Sequence, residues 1–230
     1  MASDPITVHL IGDSTAAEKA ASERPETGWG TPFAERVDDS VTVENHARNG
    51  RSTRTFLEEG RWHPVVTALE AGDYVFVQFG HNDEVPSKEQ YTPEAEFEAN
   101  LERFVAETRE RGAEVVLLTP LARRHFGEEG IPEDTHRAYS ELTRDVARLH
   151  DVPLVDADER SRSLLRELGP EESESLYNHL SPGEHPNYPD GVTDDTHFSE
   201  AGARRMADLI LDGVEALDLG LATRLDRDSG

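Results

Sequence analysis

Apolar positions follow two rhythms along this chain. Short apolar runs at 6–11, 74–79, 115–119 and 152–155, with an alternating stretch at 41–44, predict β-strands; the run Tyr-Val-Phe-Val-Gln-Phe at 74–79 is the clearest, being rich in β-branched and aromatic residues. Between them the spacing turns helical. Phe97, Leu101, Phe104, Val105 and Thr108 form one stripe behind Thr92-Pro93, with Pro93 at the first helical position and Gly112 ending the helix. Tyr139, Leu142, Val146 and Leu149 form a second. Ala203, Met206, Ala207, Ile210 and Val214 form a third behind Ser199 as N-cap. Short helices are expected at 55–60 and 64–69, and a short amphipathic turn carries Phe33 and Val37. Strands alternating with helical stripes imply a parallel sheet covered on both faces by right-handed crossovers, a three-layer α/β/α fold. From 169 to 193 the pattern dissolves into Gly, Pro, Asn and Asp, which predicts a long functional loop. No linker or composition shift divides the chain, so residues 1–230 are expected to form a single domain, with 1–5 and 222–230 as frayed tails.

The polar residues gather just past the strand ends, where open α/β sheets bind ligands. The first run breaks into Gly12-Asp13-Ser14-Thr15, and Gly12 permits a sharp reversal that sets Ser14 beyond the strand. The clearest strand stops at Gly80, before His81-Asn82-Asp83. Asp194-Asp-Thr-His197 precedes the last helix. A serine hydroxyl needs a base to act as a nucleophile at neutral pH, and the base needs a partner that fixes its tautomer. His197 and Asp194 supply both, because a three-residue separation near a helix start can bring the two side chains together. Asp195 is the competing carboxylate, one residue nearer and expected to point elsewhere. Three donors are on offer to a tetrahedral oxyanion: the backbone N–H groups of Ser14 and Gly50, and the side-chain amide of Asn82.

In order and spacing, Gly12-Asp13-Ser14, Asn-His-Ala-Arg-Asn-Gly-Arg-Ser-Thr-Arg at 45–54, Phe-Gly-His-Asn-Asp at 79–83 and Asp-Asp-Thr-His-Phe-Ser at 194–199 resemble the SGNH (GDSL-type) hydrolases. Gly28-Trp29-Gly30 and Asn49-Gly50-Arg51-Ser52 place the likeness in the rhamnogalacturonan acetylesterase-like group, over nearly the whole chain. The resemblance implies a flavodoxin-like five-stranded sheet of order 2-1-3-4-5. It also implies Ser14, Asp194 and His197 as the catalytic triad, an oxyanion hole of Ser14, Gly50 and Asn82, and a substrate of acetylated, pectin-derived oligosaccharide. Asn49 departs from the small residues frequent before that glycine. Asp13 and His81 are expected to support the Ser14 and Asn82 loops. Arg51, Tyr177, His185 and Tyr188 are candidate sugar contacts, with turn packing as the competing reading of Tyr177, His185 and Tyr188; Trp29 is read first as structural packing, with a sugar contact as the alternative. Esters of other glycans such as xylan, and short-chain acyl esters or thioesters, are the nearest alternatives. A non-catalytic carbohydrate-binding protein would be expected to have lost the triad.

Composition changes the picture in two respects. Forty-eight acidic residues against 23 basic ones give a net charge of −25, which repels nucleic acid and anionic membranes, so neither is expected as a partner. No run reaches the roughly 20 apolar residues of a membrane span. The chain has no cysteine, hence no disulfide or thiolate chemistry, and no metal or nucleotide motif, so no cofactor is expected. His46, His63, His125 and His136 are expected as surface or core histidines. The sequence as written starts without a signal segment and is expected inside the cell, although a mature secreted form would look the same.

Lys19 and Lys88 are the two lysines of the chain, and an acidic, lysine-poor surface suits concentrated salt, where the Debye length shrinks to roughly 3 Å at 1 M. The melting temperature should therefore climb as KCl is raised from low to molar concentration. A melting temperature indifferent to KCl would refute the halophilic reading.

Overall fold

The computed structural model describes residues 4–226. Five parallel strands, β1 (Ile6–Gly12), β2 (Val41–Asn45), β3 (Tyr74–Gln78), β4 (Glu114–Leu118) and β5 (Leu154–Val155), form a sheet of order β2-β1-β3-β4-β5, the flavodoxin-like order. Strand side chains alternate between faces. Val8, Leu10, Phe76, Val116 and Leu118 pack against α1 (Gly30–Ala34), α6 (Ala157–Glu172) and α7 (Glu200–Ala216). Ile11, Val75, Val77, Val115 and Leu117 pack on the opposite face, against α2 (Thr53–Glu58), α3 (Trp62–Ala68), α4 (Glu94–Glu110) and α5 (Arg137–Leu149). The central strand β3 is buried along its whole length, as expected of a parallel strand covered on both sides. Among the described residues no helix is long and apolar enough to cross a membrane.

Several local expectations need correction. Helix α4 begins at Glu94, with Pro93 in the N-cap position rather than the first helical one. On α5, Leu149 is 70% exposed, and the buried stripe runs through Tyr139, Ser140, Thr143, Val146 and Ala147. Helix α6 has no counterpart in the apolar pattern, because buried polar groups take the place of apolar ones on its inner face. Asp158 is fully buried between Arg144 and Arg162, and Ser161 Oγ donates to the Ala157 carbonyl and accepts from the Ala122 N–H. Asp156 caps its start by accepting from the Glu159 N–H.

The segment expected as an irregular loop at 169–193 is largely structured. Helix α6 continues past a kink at Gly169 and Pro170, a 3₁₀ turn follows at Ser173–Leu176, and β6 (Tyr177–Leu180) pairs antiparallel with β7 (Val192–Phe198) as a separate two-stranded sheet. The tail expected to fray is held at least to Asp226. A 3₁₀ turn at Gly220–Arg224 buries Leu221, Leu225 bridges to Val37, and Arg224 donates to the Asp4 carbonyl. Positions 1–3 and 227–230 of the expected tails lie outside the described residues.

Candidate active site

Strand β1 delivers Ser14 by a close approach of two backbones. A Cβ on Gly12 would lie 2.6 Å from the Gln78 carbonyl of β3, so only glycine lets the chain leave the sheet on this course. The turn is then fixed by Asp13, whose Oδ1 accepts from the Thr15 N–H at 2.9 Å and the Thr15 hydroxyl at 2.7 Å. Its Oδ2 faces His81 Nδ1 at 3.1 Å, which ties the Ser14 turn to the loop after β3. Burial alone would raise the Asp13 carboxyl, but the charge and hydrogen bond of His81, with the two bonds from Thr15, bring it down to about 2. Burial also pushes the His81 ring toward neutrality, opposed by Asp13 on one nitrogen; the other lies 3.0 Å from the Leu121 carbonyl.

His197 reaches the same edge by a break in the β6–β7 ladder. Asn178 pairs with Asp194 but the preceding Tyr177 pairs with Phe198, so residues 195–197 stand out of the ladder as a bulge. His197 Nε2 lies 2.8 Å from Ser14 Oγ, and its Nδ1 lies 2.7 Å from Asp194 Oδ2. Asp194 Oδ1 accepts from the backbone N–H groups of Thr196 and His197, at 2.8 and 3.0 Å. Desolvation, which would raise this carboxyl, is outweighed by the His197 ring and these two N–H groups, and the pKa falls to about 2. Asp194 is therefore ionised and can accept Nδ1–H, which leaves the Nε2 lone pair toward the Ser14 hydroxyl.

The rest of the bulge is clamped from the loop after β4. Asp195 pairs with Arg124 at 2.8 Å and with His179 at 2.9 Å, so it points away from His197. Arg123 Nη1 donates to Thr196 Oγ1 at 2.5 Å, while Nη2 donates to the His81 carbonyl and to Glu84, each at 3.2 Å. One guanidinium thus joins the His197 bulge to the Asn82 loop. Nothing in the local sequence marks Arg123 or Arg124 as site residues, since only the fold brings their loop between the other two.

Gly50 sits in a turn after β2 with φ +74°, a conformation that favours glycine. The Arg48 N–H donates to the Gly12 carbonyl and anchors this turn beside the Ser14 turn. Asn82 Nδ2 donates to the Arg51 carbonyl at 3.0 Å, drawing the Asn82 and Gly50 loops together. Asn49 is not free: its Oδ1 accepts from Lys19 Nζ at 2.8 Å, and its Nδ2 donates to Glu23 at 2.6 Å. These contacts explain why a larger residue fits before Gly50.

The candidate sugar contacts separate into two groups. Trp29 and Tyr177 are each 1% exposed, and their polar ends are satisfied inside the protein, by Gln78 Oε1 and the Ala122 carbonyl. Both are core residues, unable to stack on a ligand at the surface. Arg51 lines a surface cleft with Glu18, Ala20, Glu23, Arg48 and Asn49, and its guanidinium is bound to Glu59 and to the Asn49 carbonyl. His185 and Tyr188 remain half-buried at the surface. The Tyr188 hydroxyl donates to the Glu23 carbonyl, and Asn187 donates to the carbonyls of Ala21 and Arg24, so this loop docks beside the cleft. Of the four histidines expected as surface or core residues, His136 is buried against Glu84, His125 is an exposed partner of Glu133, His63 is exposed, and His46 faces His9.

The profile of the GDSL-like Lipase/Acylhydrolase family matches residues 10–205. The rhamnogalacturonan acetylesterase RhgT of Bacillus subtilis is 41% identical over 225 residues, which span 98% of this chain and 96% of that protein. Among solved structures, the YxiM protein of Bacillus subtilis superposes with a TM-score of 0.81 at 26% identity, over 94% of this chain and 58% of that longer one. An acetylxylan esterase from Geobacillus stearothermophilus shares the fold, with a TM-score of 0.66 at 22% identity over 95% and 96% of the two chains.

Asp83, at the end of the Asn82 loop, illustrates the opposite balance to Asp13 and Asp194. It accepts from the Thr53 N–H and hydroxyl and from the Gly80 N–H, yet complete burial outweighs these bonds and pushes its carboxyl up to about 7. The folded state then holds a proton that the unfolded chain has released, so this group's contribution to stability falls as pH rises from about 4 to about 7. Denaturant titrations across that window should show the parent losing stability relative to Asp83→Asn, by at most about 1.4 kcal/mol per pH unit. A parent-to-variant difference independent of pH would contradict a raised Asp83.

Proposed function

The chain belongs to the GDSL-like lipase/acylhydrolase family, and from that premise we propose that it is a serine esterase that removes acetyl groups from carbohydrate. We assign acetylated rhamnogalacturonan oligosaccharides as its substrate class. The observation that carries the mechanism is the unbroken relay from Ser14 Oγ through His197 to Asp194, with distances of 2.8 and 2.7 Å. The substrate class is supported by the likeness to RhgT, a rhamnogalacturonan acetylesterase by name, along almost the full length of both chains.

In the proposed reaction Ser14 Oγ attacks the acetyl carbonyl carbon while its proton passes to His197 Nε2. Ionised Asp194 stabilises the resulting imidazolium. The negative charge on the tetrahedral oxygen is met by the Ser14 and Gly50 N–H groups and the Asn82 amide, all on loops already fastened to one another. When the intermediate collapses, the bond to the sugar oxygen breaks, and that oxygen takes the proton from His197 as it leaves. Water then attacks the acetyl-Ser14 ester with His197 again as base, and acetate departs. Preorganisation matters here because the donors are held by protein contacts such as Arg51 carbonyl to Asn82, not assembled by substrate.

Acetate release should be measured from acetylated rhamnogalacturonan oligosaccharides, acetylated xylo-oligosaccharides and p-nitrophenyl acetate. The expected result is serine-dependent release from all acceptable esters, with the highest kcat/KM on the rhamnogalacturonan oligosaccharides. Ser14→Ala should abolish release, and Asn82→Ala should lower kcat by about 10²- to 10³-fold. Faster turnover of the xylo-oligosaccharides would overturn the substrate assignment alone, whereas release persisting in Ser14→Ala would overturn the mechanism.

A further inference from the structure

We propose that His9, Glu44 and His46 form a binding site for a divalent transition-metal ion of the zinc class, on the β1–β2 pair and separate from the Ser14 centre. Register creates the cluster. His9 on β1 stands opposite Glu44 on β2, and His46 follows two residues later on the same side of the chain. His9 and His46 are 37 positions apart with no metal-binding spacing between them, so the sequence alone points to no metal here and His46 reads as a surface or core histidine.

The donor atoms already have the spacing an ion would impose. His9 Nδ1 lies 3.1 Å from His46 Nε2, and Glu44 Oε2 lies 3.4 Å from each of them. Tetrahedral ligands at about 2.0–2.1 Å from zinc stand about 3.3 Å from one another, so the three atoms outline one face of such a site. The exposed side is open for a water molecule as fourth ligand: the side chains of Glu44 and His46 are 48% and 29% exposed, while that of His9 is 2% exposed. Two imidazoles and one carboxylate favour zinc, cobalt, nickel or copper over magnesium or calcium, which prefer all-oxygen shells.

One further feature suits ligation. His9 Nε2 is buried without a hydrogen-bond partner, and the carboxylate of Asp73 lies 3.9 Å from it. Asp73 is itself held by the N–H groups of Thr7 and Glu70. An ion on Nδ1 would fix the His9 proton on Nε2, facing that carboxylate, as ligating histidines commonly do. The site would clip β2, the edge strand of the sheet, to β1, and would fix the start of the turn that carries Gly50 four residues later.

The test is calorimetric titration of Zn²⁺ into chelator-treated, dialysed full-length protein in 0.5 M KCl, alongside thermal melts and Co²⁺ absorption spectra. The expected result is one Zn²⁺ per chain, with a rise in melting temperature and visible Co²⁺ bands. His46→Ala should abolish this binding, and Glu44→Gln should weaken it by tenfold or more. These side chains lie on an exposed edge, so two variants keep the comparison readable should one fail to fold. Equal Zn²⁺ binding by the parent and both variants would overturn the proposal, because ions would then be condensing on the acidic surface. Binding of Mg²⁺ as strong as Zn²⁺, or no Zn²⁺ binding by the parent, would overturn it equally.

Discussion

The arrangement around Ser14 depends on a broken register. In a regular antiparallel ladder a shift of one residue exchanges the faces of all side chains beyond it. Here Asn178 and Tyr177 pair with Asp194 and Phe198, and the residues left between, 195–197, are expelled as a bulge. Asp194 stays in the ladder, while His197 is freed to turn toward the sheet edge. The backbone of the bulge wraps the Asp194 side chain, since the N–H groups of Thr196 and His197 both donate to its Oδ1. A parallel sheet can present Ser14 and Asn82 side by side, but His197 has to come from outside it, and the bulge is what spans that distance.

Three carboxylates near this edge, two buried and one half-buried, show how the same group is set differently by its surroundings. Asp13 and Asp194 face imidazoles and backbone donors and are held near 2, whereas Asp83, with neutral donors only, is raised to about 7 by burial. The low values keep negative charge beside the two histidines that organise the site. Three cations near the site sit at joints. Lys19 spans Asn49 and Glu26, Arg123 spans Thr196, His81 and Glu84, and Arg124 holds Asp195.

The parts of the fold legible in the sequence are those where burial follows a simple period. Strand β3 and helices α4 and α7 are mainly apolar where they face the core, so their stripes announce them. Helix α6 was hidden because Asp158 and Ser161 occupy inner positions, stabilised by arginines and a backbone N–H that no local pattern reveals. The β6–β7 hairpin was hidden because its strands are mixed, polar and short. Ser14, Asn82, Asp194 and His197 stood out because their loops break abruptly from strand or helix signals. Tyr177 is ambiguous in the sequence for the converse reason: its hydroxyl suggests a ligand, but it is satisfied on the Ala122 carbonyl inside the core, as the Trp29 indole N–H is on Gln78.

The most direct test of this account is the kcat and KM for acetate release by Arg123→Ala, measured with its melting curve. Arg123 touches neither Ser14 nor His197, and acts by holding Thr196 of the bulge to the His81 carbonyl. In the proposed reaction, a displacement of His197 by up to about an ångström would lower turnover by up to about 10²-fold. The account predicts a fall in kcat of about that size with KM and melting temperature near those of the parent. A kcat within twofold of the parent would contradict the claim that the clamped bulge sets the position of His197.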